Sequence, residues 1–101
     1  LKANNAATNV DISIVPKGTG AFMLAVPDNL ATGGNKRGAN AIDLQTLRSV
    51  NIQVASGAQS IAVGVYNIAS GSSAMALGFN NTANNSGVIA LGYQNTASSL
   101  A

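Results

Sequence analysis

Few side chains in this sequence are able to ionise, ligate a metal or attack a substrate. Asp11, Asp28 and Asp43 are the only acids, and Glu, His, Cys and Trp are absent altogether. Without histidine the usual general base and the commonest metal ligand are missing. Without cysteine there are neither disulfides nor thiolate metal sites. Carboxylate-pair catalysis would require two of the three aspartates to converge. Their expected role is instead that of solvated turn or connector residues. Pro16-Lys17-Gly18-Thr19-Gly20 is basic and glycine-rich but lacks the G-x-x-x-x-G-K-[ST] spacing of a phosphate loop. No catalytic residue, metal site or cofactor is expected, and the chain reads as a non-enzyme. Arg37 and Arg48, near Asp43, are open to two readings. One is an ion pair between subunits that orders this segment; the other is a solvated face, where exposed pairs contribute only about 0–1 kcal/mol.

The elements that would carry any function are set by an unusual composition. Apolar residues make up 47% of the 101, aromatics 4% and charged residues 8%, against roughly 25% charged in an ordinary domain. Disordered chains combine low hydrophobicity with high charge, so disorder is a poor fit. Tightly stacked β-structure fits better. A net charge of +2, with no basic cluster larger than Lys36-Arg37, gives no footprint for nucleic acid. No apolar run approaches the ~20 residues of a membrane span, and Leu1 to Asn9 lack the layout of a signal peptide. The pattern described below breaks off at residue 101, so the chain is expected to be a piece of a longer polypeptide.

The charges divide the chain. All eight lie between Lys2 and Arg48, and none follows Ser49. In the first part, Val10-Asp11-Ile12-Ser13-Ile14 alternates with the period of a half-buried strand. The turn cluster Pro16 to Gly20 follows, and Ala21 to Val26 reads as a second strand, so a β-hairpin is predicted within residues 1–30. Residues 31–50 form a connector. Within it, Asn40 to Arg48 suits either a short helical turn or an extended strand.

Residues 51–101 repeat. Ser60-Ile61-Ala62-Val63-Gly64 aligns with Ala74-Met75-Ala76-Leu77-Gly78 and with Val88-Ile89-Ala90-Leu91-Gly92, each fourteen residues after the last. Asn67-Ile68-Ala69, Asn81-Thr82-Ala83 and Asn95-Thr96-Ala97 align as well. Gln53 to Gly57 is an earlier partial copy of Asn67 to Gly71. The repeat is defined by Ala62, Gly64, Ala69 and Gly71, by Ala76, Gly78 and Ala83, and by Ala90, Gly92 and Ala97. Fourteen residues are too few for a helical repeat, which takes roughly 34. They suffice for one coil of a β-roll with two short strands. Alternation along the first strand puts Ile61/Val63, Met75/Leu77 and Ile89/Leu91 on one face and Ala62, Ala76 and Ala90 on the other. The large residues are expected to fill the coil, and the alanines to admit a neighbouring surface.

With Ala69 and Gly71 following, Ser60-Ile61-Ala62-Val63-Gly64 resembles the head repeat of YadA-like trimeric autotransporter adhesins, approximately S-x-A-x-G-x-x-x-x-A-x-G-x-x. The resemblance covers about residues 53 to 101. It implies a left-handed parallel β-roll, packed as a homotrimer, in a head that binds host surface or matrix. Two positions depart from the motif: Gly71 gives way to Asn85 and Ser99, and Ser60 to Ala74 and Val88. The segment Asn9 to Ala21, followed by Gly33 to Gln45, is similar to segments of phage and large-virus tail-fibre or structural proteins. That similarity implies a virion fibre, extracellular and non-catalytic; the alternative owner is a bacterial cell surface. The expected fold is all-β: a hairpin, a connector, then the roll, assembled as a trimer.

Phe79 and Tyr93 follow the repeat glycines at equivalent positions, where Val65 stands in the first coil. Aromatic rings on a polar fibre can stack on sugars, and Asn80, Asn81, Gln94 and Asn95 carry amides suited to hydroxyls. Phe79, Asn80, Tyr93 and Gln94 are therefore the candidate contacts for a host glycan or protein receptor. The competing role for the rings is burial at the roll's edge or at a subunit junction.

Overall fold

The computed structural model describes residue 9 and residues 11–99. Among them every regular element is a strand: β1 (Phe22–Met23), β2 (Ile42–Leu47), β3 (Ile61–Val65), β4 (Ile68–Ala69), β5 (Met75–Phe79), β6 (Thr82–Ala83), β7 (Ile89–Tyr93) and β8 (Thr96–Ala97). One sheet has the order β1-β2-β3-β5-β7 and the other β4-β6-β8. All pairings are parallel, and the repeats lie in register: Ala62 beside Ala76 beside Ala90, and Gly64 beside Gly78 beside Gly92. The chain passes from one sheet to the other within each coil, giving a β-solenoid of about 4 turns. The first turn lies ahead of the three aligned repeats. It consists of β2 with the bridge Ala55–Ala69, so Asn40 to Arg48 takes the extended alternative.

The predicted hairpin does not form. Residues 11–16 carry no strand, and Val10 lies outside the described residues. Phe22–Met23 instead runs parallel to Ile42–Asp43, with the Phe22 N–H donating to the Ala41 carbonyl at 2.9 Å and the Leu24 N–H to that of Asp43 at 3.2 Å. The turn closes as expected, Gly20 N–H to Lys17 carbonyl, but its Thr19 carbonyl accepts from the Asn40 N–H at 2.9 Å. That tie draws the chain after the turn onto β2, not back onto residues 11–15.

The two faces of the first strand are also the reverse of the expectation. Ala62, Ala69, Ala76 and Ala83 are 0% exposed, whereas Ile89 and Leu91 are 59% and 67% exposed. Alanines from both sheets meet inside the coil, and the large aliphatics point outward. The reason is thickness. Stacked sheets with ordinary side chains sit about 10 Å apart, but a fourteen-residue coil has too little chain in its corners to hold them there. Methyl groups fill the narrow interior, and Ile61, Val63, Met75 and Leu77 must lie outside it.

The corners repeat as faithfully as the strands. Gln59, Ser73 and Gly87 occupy the left-handed region before each strand, and Tyr66, Asn80 and Gln94 occupy it after. Left-handed backbone costs an ordinary residue about 1–2 kcal/mol. Each such residue donates its N–H to the coil before it, as Asn80 does to Val65 and Gln94 to Phe79, both at 2.9 Å. The repeat glycine lies within the strand, not at its end. Gly64 and Gly78 have φ near +120°, and a Cβ on either would run into the carbonyl oxygen of the next glycine in the column. Gly71 has a different cause from the turn conformation its position suggests. It is not in the left-handed region, but a Cβ there would strike the Asn85 backbone.

Ser60 stands in a buried column with Ala41, Ala74 and Val88, and its hydroxyl has no hydrogen-bond partner. An unpaired buried hydroxyl costs about 1–3 kcal/mol. Ser60→Ala should therefore raise stability by about 1 kcal/mol in urea unfolding. In the same assay Ala76→Leu should lower it by about 1–3 kcal/mol or more, because the thin interior has no room for the added carbons. A neutral Ala76→Leu would contradict the inward placement of the alanines.

Candidate functional site

The outward side of the larger sheet is a continuous apolar surface. Its columns follow the strand register: Ile61-Met75-Ile89, then Val63-Leu77-Leu91, then Val65-Phe79-Tyr93. β2 extends the columns with Ile42, Leu44 and Leu47, across a register shift between Gln45 and Leu47. No charged side chain interrupts the face, because the interior neighbours of these residues are Ala, Gly, Asp43 and Gln45. Single exposed apolar residues are ordinary, but a contiguous sheet face of them marks an interaction surface.

Of the four candidate receptor contacts, the structure brings Phe79 and Tyr93 together at one end of this face and sets Asn80 and Gln94 at the corner beside them. The two rings are stacked, with centroids 5.3 Å apart and planes at 11°. Tyr66 meets Phe79 edge-on at 5.3 Å, a contact that its own position in the repeat did not signal. Phe79 therefore contacts a ring on either side and is less exposed, at 37%, than Tyr93. Tyr93, 66% exposed, keeps one face open. Asn80 and Gln94 are exposed. Asn81 and Asn95, which the sequence also offered as hydroxyl partners, serve a different purpose.

Asn67, Asn81 and Asn95 form a ladder along the coils. The Asn81 side-chain amide donates to the Leu77 carbonyl of its own coil at 2.9 Å and to the Gly92 carbonyl of the next at 2.8 Å. Asn67 does the same with Val63 and Gly78, at 3.0 and 2.8 Å. Each Oδ1 accepts from the following asparagine's N–H, Asn81 to Asn67 at 3.0 Å and Asn95 to Asn81 at 2.9 Å. Asn67 and Asn81 are fully buried. The repeat glycines leave the space these amides occupy.

The ladder ends on Gln45 and, beside it, on Asp43, which was expected to be solvated. Gln45 takes the ladder's first position, accepting from the Asn67 N–H at 2.6 Å and donating to the Asn67 carbonyl at 3.1 Å. Asp43 lies next to it, buried, and accepts from Arg37 Nε at 2.7 Å and from the Ala55 N–H at 3.1 Å. Arg48 Nη2 approaches its other oxygen at 3.6 Å. The ion pair is thus within one chain and inside the protein; neither the subunit bridge nor the solvated face applies to it. Burial, and then the neighbouring Arg37 guanidinium, push Arg48 below its ordinary pKa, while Asp43 opposes them. Asp28 matches its predicted turn role, its Oδ1 accepting from the N–H groups of Leu30 and Gly33, both at 2.9 Å.

Removing one partner of a buried ion pair costs about 3–5 kcal/mol. Asp43→Asn should lose that much in urea unfolding, because two buried guanidiniums keep no counter-charge. Asn81→Ala should lose about 1–3 kcal/mol through the carbonyls and amide it leaves unpaired. Exposed Asn84→Ala should stay within about 0.5 kcal/mol. Equal effects at positions 81 and 84 would remove the ladder's role.

Neither a curated protein nor a solved structure matches the chain. The family model of the YadA head domain repeat does match, in two copies, at residues 55–81 and 69–95. Those spans contain β3 to β7, the asparagine ladder from Asn67 to Asn95 and the repeat glycines, so over residues 55–95 the stacked coils are similar to YadA head repeats.

Proposed function

We propose that this chain is a non-catalytic structural segment of a trimeric virion fibre, with a contribution to host attachment. The observation that carries the self-association is the apolar outer face, with columns from Ile61, Val63 and Val65 running along the stack. Burying a side chain of Val, Leu or Ile is worth roughly 1.5–3 kcal/mol, so a face of this kind gains far more from another copy than from water. Three copies are the arrangement that the resemblance to YadA-like heads implies. The virion assignment rests on the similarity of the segments Asn9 to Ala21 and Gly33 to Gln45 to viral fibre proteins, and places the chain outside the host cell.

The head of a bacterial trimeric autotransporter adhesin is the second reading, favoured by the family match at residues 55–95. Flanking sequence separates the two: a coiled-coil stalk and membrane barrel belong to the adhesin, a tip or chaperone domain to the fibre. For attachment, a host-surface glycan or protein receptor is the partner. Within the candidate site the more exposed ring of Tyr93, beside Gln94, is better placed for a sugar than that of Phe79, which packs between two rings.

Sedimentation of the chain should give a trimer, and Leu77→Asp should shift it to monomer by placing a charge in the middle of the face. A monomeric parent would overturn the assembly. On a glycan array Tyr93→Ala should abolish binding, whereas Phe79→Ala should only weaken it. Equal binding by both variants and the parent would exclude the ring as a contact.

A further inference from the structure

Residues 11–15 have a strand's sequence and no strand partner. Ile12 and Ile14 alternate with Asp11 and Ser13, and Ile12, Ile14 and Val15 are all exposed. No backbone hydrogen bond joins residues 11–15 to another described residue. The strand that this segment was expected to pair with, β1, lies at the end of its sheet with β2 as its one neighbour. Among the described residues its other edge has no partner, and unpaired edges are sites of strand addition. A groove of about 430 Å³ lies beside that edge, lined by Ala21, Met23, Pro27, Lys36 and Arg37 among others.

We propose that residues 11–15 are an exchanged arm, which adds as an antiparallel strand to the free edge of β1 in a second copy of this chain. The pattern and the tether fit that occupant. Period-two alternation lets Ile12 and Ile14 lie on one side, toward the apolar lining from Met23 and Pro27. The turn through Lys17 to Gly20 is pinned to Asn40 through the Thr19 carbonyl, and residues 11–15 are exposed and make no backbone hydrogen bond to β1 of their own chain. A neighbouring copy receives the strand pairing that the first chain does not make. This arm rests on the self-association proposed above but uses a different surface from the apolar face, and so fails separately.

The chain has no cysteine, so introduced cysteines report only on each other. Chains carrying Ile14→Cys and chains carrying Met23→Cys, co-expressed and oxidised, should yield a covalent heterodimer on a non-reducing gel. In sedimentation, Ile12→Asp with Ile14→Asp should weaken self-association at least ~10-fold (about 1.4 kcal/mol) and leave the circular dichroism of the coils unchanged. The arm is overturned if the parent is oligomeric yet no Ile14→Cys to Met23→Cys product forms. It is equally overturned if a chain carrying both cysteines closes an internal disulfide, since the hairpin then forms within one copy. A monomeric parent overturns the arm and the trimer together; an oligomer untouched by the aspartates overturns the arm alone.

Discussion

The thinness of the coil interior is the constraint from which the rest follows. Two sheets closed every fourteen residues leave space for methyl groups and, at one corner, for a planar amide. A buried amide is tolerated only when its donors and acceptors are met. Asn67 and Asn81 meet this condition by bonding to their own coil and to the next. The ladder therefore sets register as well as filling space. A slip of one residue in one direction would bring Ile68, Thr82 or Thr96 to the amide position and leave several buried carbonyls without partners. The glycines at 64, 78 and 92 belong to the same device, since the amide and the stacked backbone occupy the space that a side chain would need.

A narrow interior has a consequence for the exterior. The aliphatic residues that an ordinary sandwich would turn inward have no room there, so the larger sheet presents them to its surroundings. The fold stabilises each coil through stacking and amide hydrogen bonds, and it holds its hydrophobic area in reserve for another surface. The interior's thinness and the exposed aliphatic face thus have one geometric cause. The lack of charge after Ser49 fits the same logic, because a charge on that face would have to be desolvated on assembly.

The first coil solves a problem the others do not have. A ladder of stacked amides needs a terminus, and an open terminus is a template for further stacking. In β2 the interior positions that elsewhere carry alanine and glycine carry Asp43 and Gln45. Gln45 completes the amide ladder, and Asp43 accepts a hydrogen bond from Arg37 and lies 3.6 Å from Arg48. Three of the chain's eight charges are thus committed to closing one end of the stack. That explains why the charged part of the sequence stops where the regular coils begin.

The repeat period, the parallel register of its alanines and glycines, the second short strand and the absence of catalytic residue types were all determined by the sequence alone. Each depends on residue identity at fixed spacing, and spacing is local information. The sequence also marked Phe79, Asn80, Tyr93 and Gln94 as one cluster. It did not reveal which face of the strand was interior, because alternation defines two faces without saying which one has room. It could not assign Asp43, Arg37 and Arg48 to the interior, since their burial depends on a coil closing over them from residues 53–55. Nor did it foresee left-handed backbone at Gln59, Tyr66 and Gln94, residue types with no preference for that conformation. Those features arise from the stacking of one coil on the next, a long-range contact that only the tertiary structure supplies.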